Sequence, residues 1–300
     1  MNNILMLMRR EVWEHRSLWI TPVVLAGVIL IIAAFGGVHY GDGPGDFSFG
    51  PSDHPNRFPA GVSMPPEDVR LGIIASVYAM LTITQLVVLG IVVFFYLLDT
   101  LLAERRDRSI LFWKSLPVSD GQVVTSKALT ALVAAPLFVL AVSAVMLLLF
   151  SGIVALRLGD LPFAPWSAEV WLKLQVVMLG FVPMVVLWYL PIAGYLLVVS
   201  VWARKNAFLW AVLPWVAILL IEGMITRTTV FARFLGSRFG GFADVMNLKD
   251  SHDFEADNLI GGAFMYIGRV FAHPEIWVGA AAGLALIYAA VRIRRYRDDS

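Results

Sequence analysis

The chain has 300 residues, of which 59% are hydrophobic and 15% are charged, and its formal net charge is +1. A soluble domain usually carries about 25% charged residues, so this composition excludes an ordinary soluble globular protein. The chain has no cysteine, which excludes a disulfide framework and a thiolate metal site.

Long apolar segments predict an all-α membrane protein with six transmembrane helices in one domain covering residues 1–300, because a bilayer core needs roughly 20 apolar helical residues. The predicted spans are Leu18–Val38, Leu71–Leu98, Ala128–Leu156, Leu174–Ala203, Asn206–Ile221 and Ile276–Val291. The last two have only 16 residues each. Tilting accommodates that mismatch, and a buried or re-entrant segment is the alternative.

Basic residues are sorted along the chain. Fourteen of the 23 Lys and Arg lie in the N-terminal segment, the loop after span two, the loop after span four and the C-terminal tail. Short segments rich in Lys and Arg remain on the cytoplasmic side. We therefore expect both termini to be cytoplasmic.

The two long segments on the opposite side differ in character. Residues 39–70 are rich in Gly and Pro, which predicts an irregular loop. Residues 222–275 contain two apolar stretches too short to span, Phe231–Phe242 and Leu259–Ala272. Interfacial or re-entrant helices fit these lengths, and a small folded outer subdomain is the alternative.

The N-terminal stretch Asn3–Ser17 has helical amphipathic spacing. One predicted face carries apolar residues, and Arg10 and Glu14 lie opposite. The apolar residues are Ile4, Leu5, Met8 and Val12. This pattern favours a helix lying in the cytoplasmic interface over a simple extension of the first span.

The polar segment between spans two and three is the most informative part of the sequence. Leu101–Lys127 holds five basic residues, yet it also carries the bulky apolar residues Phe112, Trp113 and Leu116. A loop that is only solvated does not require bulky apolar side chains. A short helix with an apolar face and a charged rim is typical of a surface that docks another protein.

The residues of this segment resemble those of the type-2 ABC exporter permeases. The matching positions are Glu104-Arg105, Ser109–Trp113, Ser115–Ser119 and Lys127. In that family a Glu-Arg pair, an apolar helical patch, a Leu-Pro-Val-Ser turn and a later Lys form the cytoplasmic stretch between spans two and three. The chain departs from the family at Asp107-Arg108-Ser109, and its first outer loop is long.

The resemblance implies a coupling helix that docks on a separate P-loop ATPase, which would bind ATP and Mg. The predicted docking residues are Glu104, Arg105, Arg106, Arg108, Ile110, Phe112, Trp113, Leu116 and Pro117. Pro117 would end the coupling helix, and Ser119 would cap the next one. The implied assembly pairs two permease subunits, identical or different, in lipid of the bacterial inner membrane.

Other functions have less support from the sequence. The chain has no Gly-x-x-x-x-Gly-Lys-Ser/Thr motif and no spacing typical of a catalytic, metal or nucleic-acid site. We expect no cofactor in the chain itself. The alternatives are a membrane-embedded enzyme using Glu222 or His252, and a receptor or scaffold without transport.

Overall fold

The structure is a computed structural model that describes residues 3–40, 47–50, 67–107, 118–158, 168–226, 229, 232–233 and 259–296. In these residues the chain is almost entirely helical. Six of the described helices are long and apolar enough to cross a membrane. They cover Ser17–Phe35, Ala75–Arg106, Asp120–Val154, Trp171–Trp202, Ala207–Met224 and Pro274–Tyr296.

We number the described elements in chain order. They are α1 (Asn3–Glu14), α2 (Ser17–Phe35), β1 (Gly37–Tyr40), β2 (Phe47–Gly50), α3 (Glu67–Arg106), α4 (Asp120–Leu129), α5 (Ala135–Leu158), α6 (Ala168–Trp202), α7 (Ala207–Ile221), α8 (Leu259–Ala272) and α9 (Pro274–Tyr296). A π-helical turn, Thr130–Ala134, joins α4 to α5, and a second one, Glu222–Thr226, continues α7.

The six predicted spans are confirmed as apolar helices of membrane-spanning length. The two short predictions lengthen in the structure to 18 residues for the fifth span and 23 for the sixth. The helix of the second span, α3, is also longer than predicted. It continues to Arg106 and carries the Glu104-Arg105 pair. Hydropathy detects only the apolar part of a helix. It therefore misses the polar residues with which the same helix continues.

The loop after span one, predicted to have little regular structure, begins with a short antiparallel hairpin. β1 pairs with β2 in a register that places Val38 opposite Phe49 and Tyr40 opposite Phe47. Aromatic and β-branched residues favour strands, and the Gly- and Pro-rich residues 41–46 separate the two. The helix of the first span, α2, ends at Phe35 rather than at the predicted Val38.

The short helices agree in part with their predictions. Leu259–Ala272 forms a helix of 14 residues, too short to span, as predicted. It packs on α6, with Ile267 and Val270 buried. The predicted helix at Phe231–Phe242 lies outside the described residues, apart from Ala232 and Arg233.

The helix predicted within Asn3–Ser17 is present over Asn3–Glu14, and the face that it turns toward the bundle is not the predicted apolar face. Leu7 and Glu11 are buried, whereas Leu5 and Val12 are exposed. The inward face therefore includes a carboxylate that apolar spacing alone does not identify. The α1 helix ends at Glu14, separated from α2 by His15 and Arg16.

Small residues bring α6 and α9 into close contact. Gly283 lies against the backbone of Leu190 and Pro191, and Gly194 lies against the carbonyl of Gly283. Gly279 and Gly283 have the Gly-x-x-x-Gly spacing that permits close backbone approach in membranes. This contact places the end of the last span beside the central helices of the bundle.

We predict that Gly283→Ala destabilises the bundle by about 1–3 kcal/mol, the usual cost of overpacking. A Cβ at Gly283 would lie 2.7 Å from the carbonyl carbon of Leu190, a backbone atom that cannot move aside alone. Thermal unfolding in detergent measures the effect. The matched control is Gly27→Ala, because no heavy atom lies within 4 Å of that Cβ position. Equal melting of the two variants would contradict the close-packing argument.

Candidate functional site

The segments on either side of residues 108–117 converge at one end of the bundle. Before these residues, α3 carries Glu104; after them, α4 begins at Asp120. The predicted cap at Ser119 is confirmed as a capping box. The backbone N–H of Gln122 donates to Ser119 Oγ at 3.2 Å, and the Ser119 N–H donates to Gln122 Oε1 at 3.1 Å. The start of α4 is thereby well defined.

Lys127 on α4 is buried with only 1% of its side chain exposed. Its Nζ lies 2.7 Å from Glu11 Oε1, 2.8 Å from Thr100 Oγ1 and 3.0 Å from Glu104 Oε1. The ammonium donates hydrogen bonds to the oxygens of Glu11 and Thr100, and it forms an ion pair with Glu104. One side chain thus joins the N-terminal helix to spans two and three.

Arg294 near the end of α9 completes the arrangement. Its Nη1 donates to Glu104 Oε2 at 2.7 Å, and its Nε donates to Asp120 Oδ1 at 3.0 Å. We call the connected side chains the ionic cluster. Its members are Glu11, Thr100, Glu104, Asp120, Lys127 and Arg294. Charges that are desolvated together interact strongly, and the loss of one leaves the others uncompensated.

The second oxygen of Glu11 faces two aromatic rings. Tyr96 donates its hydroxyl to Glu11 Oε2 at 2.8 Å, and His15 Nε2 lies 3.6 Å from the same oxygen. The rings of His15 and Tyr96 meet edge to face at 4.7 Å. Burial lowers the pKa of His15 and outweighs the opposing effect of Glu11, while Lys127 lowers it further. His15 is therefore disposed to remain neutral beside a carboxylate.

Arg105 connects the same end of α3 to α6. Its Nη2 donates to the carbonyl of Ser200 at 2.8 Å and to that of Ala203 at 2.6 Å. Carbonyls in the last turn of a helix have no intrahelical donor, and a basic side chain satisfies them well. In addition, Ser200 Oγ lies 3.2 Å from the backbone nitrogens of Leu101 and Leu102. Span four is thus attached to span two at the level of the ionic cluster.

The predicted docking residues have different locations. Glu104 and Arg105 turn inward and contact the chain's own helices, as described above. Arg106 is exposed, and its Nε lies 3.5 Å from Asp107 Oδ1. The remaining predicted docking residues lie outside the described residues. They are Arg108, Ile110, Phe112, Trp113, Leu116 and Pro117.

Sequence reasoning missed Glu11 and Arg294 as members of the ionic cluster. A sequence signal exists for Glu11. Glu11 follows Ile4, Leu7 and Met8 at the spacing of one helical face, which places a carboxylate in line with residues facing inward. Arg294 has no such signal, because it lies one helical turn after Ala290, whose full burial only the structure reveals.

Glu222, a candidate for membrane-embedded catalysis, lies in the π-helical turn after α7 and is buried. Its Oε2 accepts the backbone N–H of Ala232 at 3.0 Å. This contact gives the carboxylate a structural partner. His252 lies outside the described residues. Within the described residues no three His, Asp or Glu side chains are grouped so as to hold a metal ion.

No family model, no curated protein and no solved structure matches this chain.

We predict that Lys127→Met destabilises the folded chain by about 3–5 kcal/mol, because Glu11 and Glu104 remain buried without their cation. Adding Glu11→Gln to that variant should restore part of the loss, since one buried charge is then removed. Thermal unfolding in detergent measures both, with Lys205→Met as the exposed control. Equal stability of the parent and Lys127→Met would contradict the cluster geometry.

A second prediction concerns pH. Because the folded-state pKa of His15 is lowered, the unfolded chain binds the proton first as the pH falls below about 6.5. The stabilisation that neutral His15 gives to the folded chain is complete above that pH. It is lost as the pH falls from the ordinary pKa of histidine to the lowered pKa of His15. His15→Gln should therefore reduce the slope of melting temperature against pH in this range. The exposed His273→Gln is the control, and an unchanged slope in His15→Gln would contradict the assignment.

Proposed function

We propose that the chain is the membrane-spanning permease subunit of an ATP-driven ABC transporter, acting as an exporter. The observation that carries this proposal is the ionic cluster. Glu104 and Lys127, which flank the segment resembling a coupling helix, lie 3.0 Å apart and connect both ends of that segment to the same helices.

The arrangement suits the transmission of force from a cytoplasmic partner. Residues 108–117 begin after α3, whose end is held by Lys127, Arg294 and the contacts of Arg105 with α6. They end before α4, which is held to α1 and α9 by Lys127, Asp120 and Arg294. A displacement of the segment would therefore act on spans two, three, four and six together. Packed elements with few alternative arrangements transmit small displacements in this way.

The remaining assignments follow from this proposal. A separate P-loop ATPase binds ATP and Mg, and this chain carries no catalytic residue. Two permease subunits, identical or different, assemble with two ATPase subunits in the bacterial inner membrane. Both termini are cytoplasmic, on the side where the ATPase docks, in agreement with the clustering of basic residues in the N-terminal segment and the tail.

We predict that Trp113→Ala weakens association with the ATPase roughly thirtyfold or more, the effect of losing about 2 kcal/mol from a buried interface aromatic. Arg106→Ala, at the rim, should cost less and depend on salt, because an exposed charge mainly affects the rate of association. The measurement is co-purification of each variant with the proposed ATPase partner, followed by an assay of ATP hydrolysis by the complex.

The matched control is Trp277→Ala, an exposed tryptophan near the start of α9, at the end of that helix remote from Arg294. This variant should retain the ATPase. If Trp113→Ala assembles and hydrolyses ATP like the parent, Trp113 is not part of a docking surface. If no ATPase associates with the parent chain, the permease assignment itself fails, and a non-transporting scaffold or an enzyme becomes the better description.

A further inference from the structure

A cavity of about 90 Å³ lies between α3, the π-helical turn Thr130–Ala134, the start of α5 and α6. Its floor consists of buried residues, which are Leu89, Val93, Ala131, Leu132 and Pro136. Its mouth consists of half-buried residues, which are Leu86, Gly90, Val185, Val186 and Tyr189. The cavity is therefore closed by the bundle on one side and open toward the outside of the chain on the other.

The local backbone explains why this space is empty. A Cβ at Gly90 would have no heavy atom within 4 Å, whereas Gly194 and Gly283 lie against the backbone of a neighbouring helix. The missing side chain of Gly90 therefore leaves room and does not bring two helices together. The π-helical turn on the opposite wall is a further irregularity, of a kind that is frequent at functional sites.

The three helices reach the cavity in the middle of the membrane. Gly90, Pro136 and Val186 lie close to the midpoints of spans two, three and four. The hydrocarbon core of a bilayer is about 30 Å thick, so the midplane lies about 15 Å from the headgroups of either leaflet. At this depth the surrounding medium consists of the ends of acyl chains.

Water and protein are both poor occupants of this cavity. A buried water needs about two to four polar partners. Tyr189 is the one polar side chain in the described lining, and its hydroxyl is directed to the carbonyl of Gly90 at 3.4 Å. A helix of another protein is about 10 Å across. The cavity is smaller than the roughly 150 Å³ that hold a benzene molecule, so it admits a narrow apolar group.

Acyl chains lie directly at the mouth. Val87 is 58% exposed and Ile91 is 56% exposed, and each follows a mouth residue of α3. Lipid tails are as apolar as these side chains, so removal from water does not drive a chain into the cavity. The driving force is van der Waals contact, which the residues around an empty space lack on one side.

We propose that the cavity binds the terminal part of the acyl chain of a membrane lipid. The chain enters through the mouth at Gly90 and Val186 and packs on the floor. The ligand is a flexible apolar chain, and its headgroup takes no part in the site. Since the walls belong to α3, α5 and α6, the bound chain also sets the spacing of spans two, three and four. This inference does not depend on the proposed ATPase partner.

Photolabelling in nanodiscs tests whether the chain enters. Two phosphatidylethanolamine probes carry a diazirine, one near the methyl end of an acyl chain and the other beside its ester. The first probe should label Leu89, Val93 and Ala131, which are only 2–3% exposed and thus out of reach of lipid on the outer surface. The second probe should label none of them. Absence of label from all three residues, or equal labelling by both probes, would overturn the proposal.

A variant that fills the cavity tests the site itself. Gly90→Leu places a side chain in the open space, and labelling of Val93 and Ala131 should fall roughly tenfold, in line with the cost of overpacking. The matched control is Gly27→Leu on α2, where a Cβ also has no heavy atom within 4 Å. The control should label like the parent. Undiminished labelling in Gly90→Leu, or an equal loss in both variants, would contradict binding in this cavity.

A smaller substitution keeps the test decisive if Gly90→Leu does not fold. Gly90→Ala adds one methyl group to open space, so it should melt like the parent in detergent. It should nevertheless reduce labelling of Val93 and Ala131, because the methyl group occupies part of the path of the chain. A folded Gly90→Ala that is labelled as strongly as the parent would count against the proposal.

The competing occupant of the mouth is a side chain from a second copy of this chain. Val185→Cys distinguishes the two, because the chain has no native cysteine. If the mouth faces lipid, oxidation in nanodiscs should leave this variant without a disulfide-linked dimer, and labelling of the floor should persist. A disulfide-linked dimer whose floor is no longer labelled would assign the cavity to a second copy and overturn the lipid site.

Discussion

The contact of Lys127 with Glu11 and Glu104 is the interaction on which this end of the molecule depends. A buried ammonium is costly to desolvate, and only close oxygens on several sides offset that cost. Here those oxygens come from α1 and α3, and Lys127 itself comes from α4. The chain can satisfy the ammonium only when the three helices adopt one relative arrangement. The contact therefore specifies geometry as much as it contributes stability.

Arg294 extends the same constraint to the last span. Its guanidinium contacts Glu104 and Asp120 through two different nitrogens, which a planar fork does more readily than an ammonium. The close approach of Gly283 to the backbone of α6 brings α9 to the position from which Arg294 reaches these carboxylates. Apolar packing in the membrane part and ion pairing at its edge are thus two consequences of one helix arrangement.

The placement of Glu104 and Arg105 changes how the Glu-Arg pair is understood. In the sequence the pair lies beside the proposed docking residues and looks like part of the same charged rim. In the structure Glu104 faces Lys127 and Arg294, and Arg105 faces the carbonyls at the end of α6. Both side chains hold the end of α3 against other helices of the same chain. Arg106, which is exposed, is the member of this group that remains available to a partner.

Hydropathy and charge by themselves determined the helical class, the number of membrane-spanning helices and the short helix at Leu259–Ala272, because burial of apolar side chains in lipid follows directly from residue type and length. The cap at Ser119 could also be predicted from the sequence, since it depends on residues only three positions apart. The ionic cluster could not be predicted, because its members are far apart in the sequence. Glu11 and Lys127 are 116 residues apart, and Glu104 and Arg294 are 190 apart. Their pairing depends on which helices are neighbours and how each is rotated, and only the tertiary structure decides that.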